Sequence, residues 1–86
     1  MALSDSQRAV IDFERTWWTR TGPKEQGIRA VLGISPSAYY RALGSVLDDA
    51  EAMAYDPLVI RRARRTREQR RQARFAGRSA ESPQQP

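Results

Sequence analysis

The sequence predicts an all-α fold: a helix-turn-helix core of three to four helices, followed by an Arg-rich C-terminal helix and a disordered tail. Three observations carry that expectation. Apolar residues recur at the spacing of amphipathic helices, as in Val10, Phe13 and Trp17. Cap signals introduce the periodic runs, at Ser4-Asp5, Pro23, Ser35-Pro36, Asp48-Asp49 and Asp56-Pro57. Alternating strand patterns closed by Asn-Gly or Asp-Gly are missing, so a winged-helix reading has no wing.

Helix one starts at Ser4 or Asp5 as cap and runs to about Thr19, its Val10, Phe13 and Trp17 stripe widened by Ile11 and Trp18. Adjacent aromatics on a helix point about 100° apart, so Trp17 and Trp18 cannot form one stacking platform. Trp17 is assigned to the interior with Phe13, and Trp18 to a groove edge or a partner surface. Gly22 closes the region. Pro23 suits the first position of a second helix, in which Ile28, Val31 and Leu32 share a side until Gly33 supplies a positive-φ stop. Ser35-Pro36 opens a third helix to about Leu47, with Tyr39, Leu43, Val46 and Leu47 inward. Asp48 or Asp49 caps a short fourth helix ending near Tyr55. Asp56-Pro57 opens a fifth, helical through the Arg cluster as far as Gly77. In domain terms the chain divides into a helix-turn-helix unit at 1–60, an Arg-rich helical extension at 61–76 and a disordered tail at 77–86.

Only Gly33, Ile34 and Ser35 join helices two and three, a connection short enough to force a steep crossing of helix-turn-helix type. In such a unit the outward face of the third helix, at Ser37, Tyr40, Arg41, Gly44 and Ser45, is the candidate for the major groove. Arg41 suits a guanine edge or a phosphate, and Ser37 and Tyr40 suit phosphates or a thymine methyl. Gly44 has two readings, close approach of backbone to DNA or close packing on helix one. Two details depart from the commonest pattern: Arg29 stands where a small residue is usual, and Gly27 weakens helix two.

Composition narrows the function classes. The 86 residues hold neither Cys nor His, which removes disulfides, zinc fingers and thiol or imidazole chemistry. The longest uncharged run, Ala30 to Tyr40, is eleven residues, against the roughly 20 a membrane span needs. The first residues lack a cationic, apolar secretion signal, so a cytoplasmic, nucleoid-associated location is expected. Fifteen cations, fourteen of them Arg, against ten anions give a net charge of +5. The imbalance is local: residues 1–60 carry six cations and eight anions, residues 61–86 nine and two. A near-neutral head followed by a cationic arm is the layout of a reader with an electrostatic grip.

Arg61, Arg62, Arg64, Arg65, Arg67, Arg70, Arg71 and Arg74 are the candidate phosphate contacts. Spaced three or four apart, they form eight like-charge pairs, which oppose an isolated helix by about 2–4 kcal/mol before screening. Arg64 and Glu68 supply one favourable pair. Leu58, Val59 and Ile60 are expected to anchor the first turn, and Ala63, Thr66 and Ala73 to form a narrow small-residue stripe. Arg rather than Lys favours bidentate phosphate binding over simple solubility.

The series Phe13-Glu14-Arg15, Trp17-Trp18, Lys24-Glu25, Ile28-Arg29, Leu32-Gly33-Ile34-Ser35, Tyr39-Tyr40, Leu43 and Asp56-Pro57-Leu58-Val59 before an Arg-rich helix resembles a family of small actinobacterial proteins carried as a domain of unknown function. The resemblance spans about residues 5 to 75 and implies a helix-turn-helix module that binds DNA in the cytoplasm. It supplies no catalytic residue. The expected role is therefore a DNA-binding transcriptional regulator or nucleoid-associated protein, with RNA left open as a partner. The alternative is an interaction module that docks on the transcription machinery through Trp18 and Tyr40 while the Arg tail grips nucleic acid non-specifically. Catalysis, cofactors, metals and membranes are not expected. The carboxylate pairs Asp12 with Glu14 and Asp48 with Asp49 are either splayed around a helix or placed to cap one.

Overall fold

A computed structural model describes the backbone of residues 2–81 and the side chains of residues 2–75. The described residues form helices and no strands, so the fold is all-α. Helix α1 (Asp5–Thr16) continues as a 3-10 turn at Trp17–Thr19. Helix α2 (Lys24–Gly27) widens into a π-helical turn at Ile28–Leu32. Helices α3 (Pro36–Val46), α4 (Ala50–Tyr55) and α5 (Pro57–Glu81) follow.

The caps show why the helices begin where they do. At α1, Ser4 Oγ accepts the Gln7 N–H at 3.1 Å while Gln7 Oε1 accepts the Ser4 N–H at 2.8 Å, so two otherwise orphaned donors are satisfied together. Ser35 Oγ accepts from the Ala38 N–H at 3.1 Å, and Pro36 follows as the first residue of α3. Asp49 Oδ1 accepts from the Glu51 N–H at 2.8 Å. Asp56 Oδ1 accepts from the Val59 N–H at 3.3 Å, and its other oxygen pairs with Arg15 at 3.0 Å, tying the start of α5 to α1. Tyr55 donates to Asp12 Oδ1 at 2.9 Å across the same seam. Gly33, at φ +68°, ends the second helix as a left-handed cap.

Several expectations are corrected by this geometry. Pro23 is the cap of α2 and not its first residue: its φ of −66° suits either position, and an extended ψ of 147° decides between them. Val31 is half exposed and does not share the buried side of Ile28. The π turn explains this, because i→i+5 bonding takes more residues per turn, and Val31 lags behind the position that α-helical spacing assigns it. Leu58 is also exposed, while Val59 and Ile60 are buried. Three successive helical residues fan over about 200° and cannot all face one core. Trp17 is only partly buried at the edge of the core. Glu68 accepts from Arg71, not Arg64. Helix α5 runs through Gly77 to Glu81; a glycine within a helix costs about 1 kcal/mol and is no stop unless φ turns positive. Of the expected disordered tail, residues 82–86 lie outside the described residues. The division expected between residues 60 and 61 falls inside α5, where Ala63 is still part of the core.

The core is built from Val10, Ile11 and Phe13 of α1, Ile28, the inward side of α3, and Val59, Ile60 and Ala63 of α5. At its centre Tyr39 is fully buried and meets Phe13 edge to face at 5.7 Å. The Tyr39 hydroxyl donates to Glu14 Oε1, the oxygen that also pairs with Lys24 Nζ at 2.9 Å. The Lys24 ammonium lies 4.9 Å from the Trp17 ring, 5.3 Å from Tyr39 and 5.1 Å from Tyr40. One carboxylate and three rings, from α1 and its 3-10 extension and from α3, therefore enclose the single lysine, which α2 contributes. Burial, and then the hydrogen bond and negative charge of Glu14, push the Tyr39 phenol far above its ordinary range.

Gly27 marks the closest approach of α2 to α1. A Cβ there would lie 3.1 Å from Phe13 Cζ, so the buried ring would have to shift by a few tenths of an ångström to admit it. Gly44 is the opposite case, with nothing within 4 Å of a Cβ.

Two predictions follow from these contacts. Urea melts should show Gly44→Ala stabilising the protein by about 0.5–1 kcal/mol and Gly27→Ala destabilising it, the Phe13 clash outweighing the same propensity gain. Tyr39→Phe should cost about 1–3 kcal/mol near neutral pH, because it removes a buried hydrogen bond to a charged acceptor. Since the folded-state phenol is held above its unfolded value of about 10, its contribution is complete below pH 10 and declines as the pH rises past it. Above that pH the wild-type protein should lose stability more steeply than Tyr39→Phe, by up to about 1.4 kcal/mol per pH unit.

Candidate nucleic-acid interface

Helix α3 is positioned by its inward row of Tyr39, Leu43, Val46 and Leu47, all buried. Helical spacing then fixes the rest of the wheel. Arg41 lies about 180° from the centre of that row, with Ser37 one turn before it and Ser45 one turn after, and all three are exposed. Arg41 has no carboxylate partner among the described residues.

Tyr40 and Gly44 do not share that outward pole. Tyr40 is partly buried, stands edge-on to Tyr39 at 5.0 Å and forms one side of the lysine enclosure. This corrects its assignment as an outward residue: it sits only about 80° from the centre of the buried row, near enough to be drawn against Lys24. Gly44 is exposed, and the open space around it removes the reading in which it packs on α1. Both residues line a cleft of about 310 Å³ between α3 and α5, whose floor is Leu43, Leu47 and Ala63.

The arginines of α5 divide into tethered and untethered groups. Arg64 Nε donates to the Leu47 carbonyl at the C-terminal end of α3, where a cation also meets the negative end of the helix dipole. Arg67 holds Asp48 through two hydrogen bonds at 3.1 and 3.3 Å. Each charge favours the other: the Asp48 carboxyl is lowered by its hydrogen bond to Arg67, and the Arg67 guanidinium is raised. Arg71 pairs with Glu68 at 2.8 Å. Arg61, Arg62, Arg65, Arg70 and Arg74 have no carboxylate partner among the described residues. They surround the helix: Arg70 and Arg74 line the cleft with Arg67, whereas Arg61, Arg62 and Arg65 occupy other exposed sides. Beyond Ala63 the helix has little apolar support. Thr66 and Ala73 of the expected small-residue stripe are exposed, and so is Phe75.

The carboxylates of the two sequence pairs, Asp12 with Glu14 and Asp48 with Asp49, are each engaged in holding elements together. Asp12 accepts from Tyr55, Glu14 pairs with Lys24 and accepts from Tyr39, Asp48 pairs with Arg67, and Asp49 caps α4. Among the described residues no group of three or more acidic side chains could hold a metal, and no helix is long and apolar enough to cross a membrane. Trp18 is 64% exposed, its indole N–H donating to the Arg15 carbonyl at 2.9 Å, so the ring is fixed on the surface.

The lysine enclosure is what sequence reasoning missed. A single Lys among fifteen cations, in a chain rich in aromatic pairs, was the available signal. The tethering of Arg64 and Arg67 left none, because their partners are 17 and 19 residues away.

The family described as a protein of unknown function (DUF3263) matches residues 2–75, and the chain belongs to it. No curated protein and no solved structure matches the chain.

The Arg67–Asp48 pair can be tested by carboxyl NMR. Asp48 should titrate below the ordinary aspartate value, and Arg67→Gln should move its midpoint up. The tie is therefore present above that ordinary value and lost as the pH falls through the depressed one. In either the acidified wild type or the variant, the amides of α5 beyond Arg67 should lose protection, measured against their intrinsic exchange rates at the same pH.

Proposed function

We propose that this member of the family is a DNA-binding protein, acting as a transcriptional regulator or a nucleoid-associated protein. In this reading α2, the Gly33-Ile34-Ser35 connection and α3 form a helix-turn-helix, and α3 enters the major groove with Ser37 and Arg41 toward base edges. Helix α5 lies along the backbone, where Arg61, Arg62, Arg65, Arg70 and Arg74 neutralise phosphates. Arg64 and Arg67 serve first to hold that helix on the head, and Arg71 is already paired. Tyr40 and Gly44 flank the groove-facing pole without occupying it.

The observation that supports this reading best is the separation of charge. Five guanidinium groups of α5, together with those of Arg20, Arg29 and the outward Arg41 of the head, have neither a carboxylate nor a hydrogen-bond partner among the described residues, although the head holds eight carboxylates. Those carboxylates serve internal seams, helix caps and exposed surface. Arg groups left unpaired in this way, on a planar fork suited to phosphate, are suited to a polyanion. The chain supplies both a helix face narrow enough for a groove and a rod of charge for the backbone.

Binding should be measured by fluorescence anisotropy on labelled duplexes between 50 and 200 mM salt. If the five arginines each neutralise one phosphate, replacing all five with Gln should flatten the log–log salt slope by about 4–5. An unchanged slope would remove α5 from the mechanism. Arg41→Ala should lower affinity for preferred sequences, selected from random duplexes, by about 1–3 kcal/mol while affecting arbitrary duplexes less. Equal losses on both would reduce α3 to a structural element.

A further inference from the structure

The cleft between α3 and α5 is not absorbed by the reading above, since a duplex cannot enter a gap between two helices of one small head. Its two walls differ. The α3 wall is neutral, with Gly44 leaving an opening where any other residue would place a side chain. The α5 wall carries Arg67, Arg70 and Arg74, spaced i, i+3 and i+7 and so aligned in one row along the helix. Asp48 occupies Arg67, while Arg70 and Arg74 have no carboxylate among the described residues. Between the walls the floor is apolar, formed by Leu43 and Leu47.

Size and shape restrict the occupant. At about 310 Å³ the cleft has roughly twice the volume of an engineered apolar cavity that accepts benzene, about 150 Å³. It can therefore take two side chains of moderate size. The α5 wall from Ala63 to Arg74 extends about 16 Å, three helical turns. That is the length of a short helix laid lengthwise, which would complete a third side against α3 and α5. Charge on one wall and an apolar floor match a ligand with an acidic stripe beside an apolar one. A nucleic-acid strand has evenly repeated charge and no apolar stripe, whereas the cleft's charge lies on one wall only, Glu14 and Lys24 at its edge neutralising each other.

We infer that this cleft is a docking site for an acidic amphipathic helix of a partner protein, about three turns long. Its apolar side chains insert between Gly44 and Leu47, and its carboxylates pair with Arg70 and Arg74. The docking uses the helix-in-groove mode, with acid–base pairs beside an apolar seam as in coiled coils. It stands without the DNA reading but competes with it for Arg70 and Arg74, so a docked helix would displace the phosphates that reading assigns to those two residues.

The open space at Gly44 provides the test. A phage-displayed library of random 16-residue peptides is selected on the full chain alone, and Gly44→Leu, which fills the cleft from a position where a Cβ meets no atom within 4 Å, is kept for the comparison. Enriched peptides are then synthesised and measured by fluorescence polarisation. Melting temperatures of both proteins confirm that the plug leaves the fold intact. The expected result is enrichment of acidic sequences with apolar residues at i, i+3 or i+4, and i+7. Their affinity should fall at least tenfold with Gly44→Leu and with Arg70→Gln/Arg74→Gln, and be unchanged with Arg61→Gln/Arg62→Gln. Replacing the peptide's Glu and Asp by their amides should cause a loss of similar size.

The inference is overturned if nothing is enriched above the background of uncoated beads, if enriched peptides are not acidic, or if they bind Gly44→Leu as well as wild type. It is also overturned if a labelled 15-mer of single-stranded thymidylate, and no peptide, loses affinity on plugging the cleft. Duplex affinity of Gly44→Leu, measured alongside, keeps the outcomes apart: retained duplex binding with lost peptide binding assigns the cleft to the peptide alone.

Discussion

The arrangement of the head depends on where one ammonium group sits. Lys24 Nζ is enclosed by the Glu14 carboxylate and the rings of Trp17, Tyr39 and Tyr40, so α1, α2 and α3 meet at a single positive charge. A charge so enclosed is costly unless it is paired and its partner is also satisfied, and here Tyr39 meets that second condition by donating to the same carboxylate. The ring faces add cation–π attraction that grows as water is excluded. In a chain whose other cations are all arginine, this position holds the one compact ammonium. A guanidinium is planar and wider, and would need the three rings to separate. The enclosure also has a directional effect: with the buried row of α3 it holds that helix about its own axis, the rotation that leaves Arg41 at the outward pole.

The second constraint is the attachment of α5. Val59, Ile60 and Ala63 bury its beginning, Arg64 donates to the Leu47 carbonyl at the end of α3, and Arg67 grips Asp48. Past that point the helix is held mainly by its own backbone, against four repulsions among Arg67, Arg70, Arg71 and Arg74. The extension is therefore continuous with the head for about ten residues before it becomes a free rod. This continuity is also what creates the α3–α5 cleft, since two helices joined at one end and unlinked beyond it must diverge.

Much of the fold was legible because its signals are local. Ser4, Ser35, Asp49 and Asp56 cap the helices that their sequence context announced, and Gly33 takes the positive φ expected of it. A cap is settled by three or four neighbouring residues, so a linear reading suffices. The errors arise where the deciding partner is distant or the helix departs from its usual pitch. Val31 was misplaced because a π turn changes the angular step, and Gly27 looked like a weakness because Phe13, the reason for it, belongs to another helix. Of the candidate site, the exposure of Ser37 and Arg41 was legible from the 3.6-residue period. The drawing of Tyr40 toward Lys24 was not, and neither was the sorting of the arginines into bound and unbound, since both depend on how α2 and α5 cross α3.

The unsupported length of α5 also affects how the molecule moves through water. The described shape extends 54 Å along its long axis and only 20 Å along its short one, with a radius of gyration of 15.7 Å. A sphere-like chain of this length would have a radius of about 12 Å. Friction follows the long dimension, so a single copy will travel through a sieving column or a diffusion experiment as though it were considerably heavier. A size inferred from elution alone confuses length with pairing, and mass must be weighed directly by light scattering or sedimentation equilibrium.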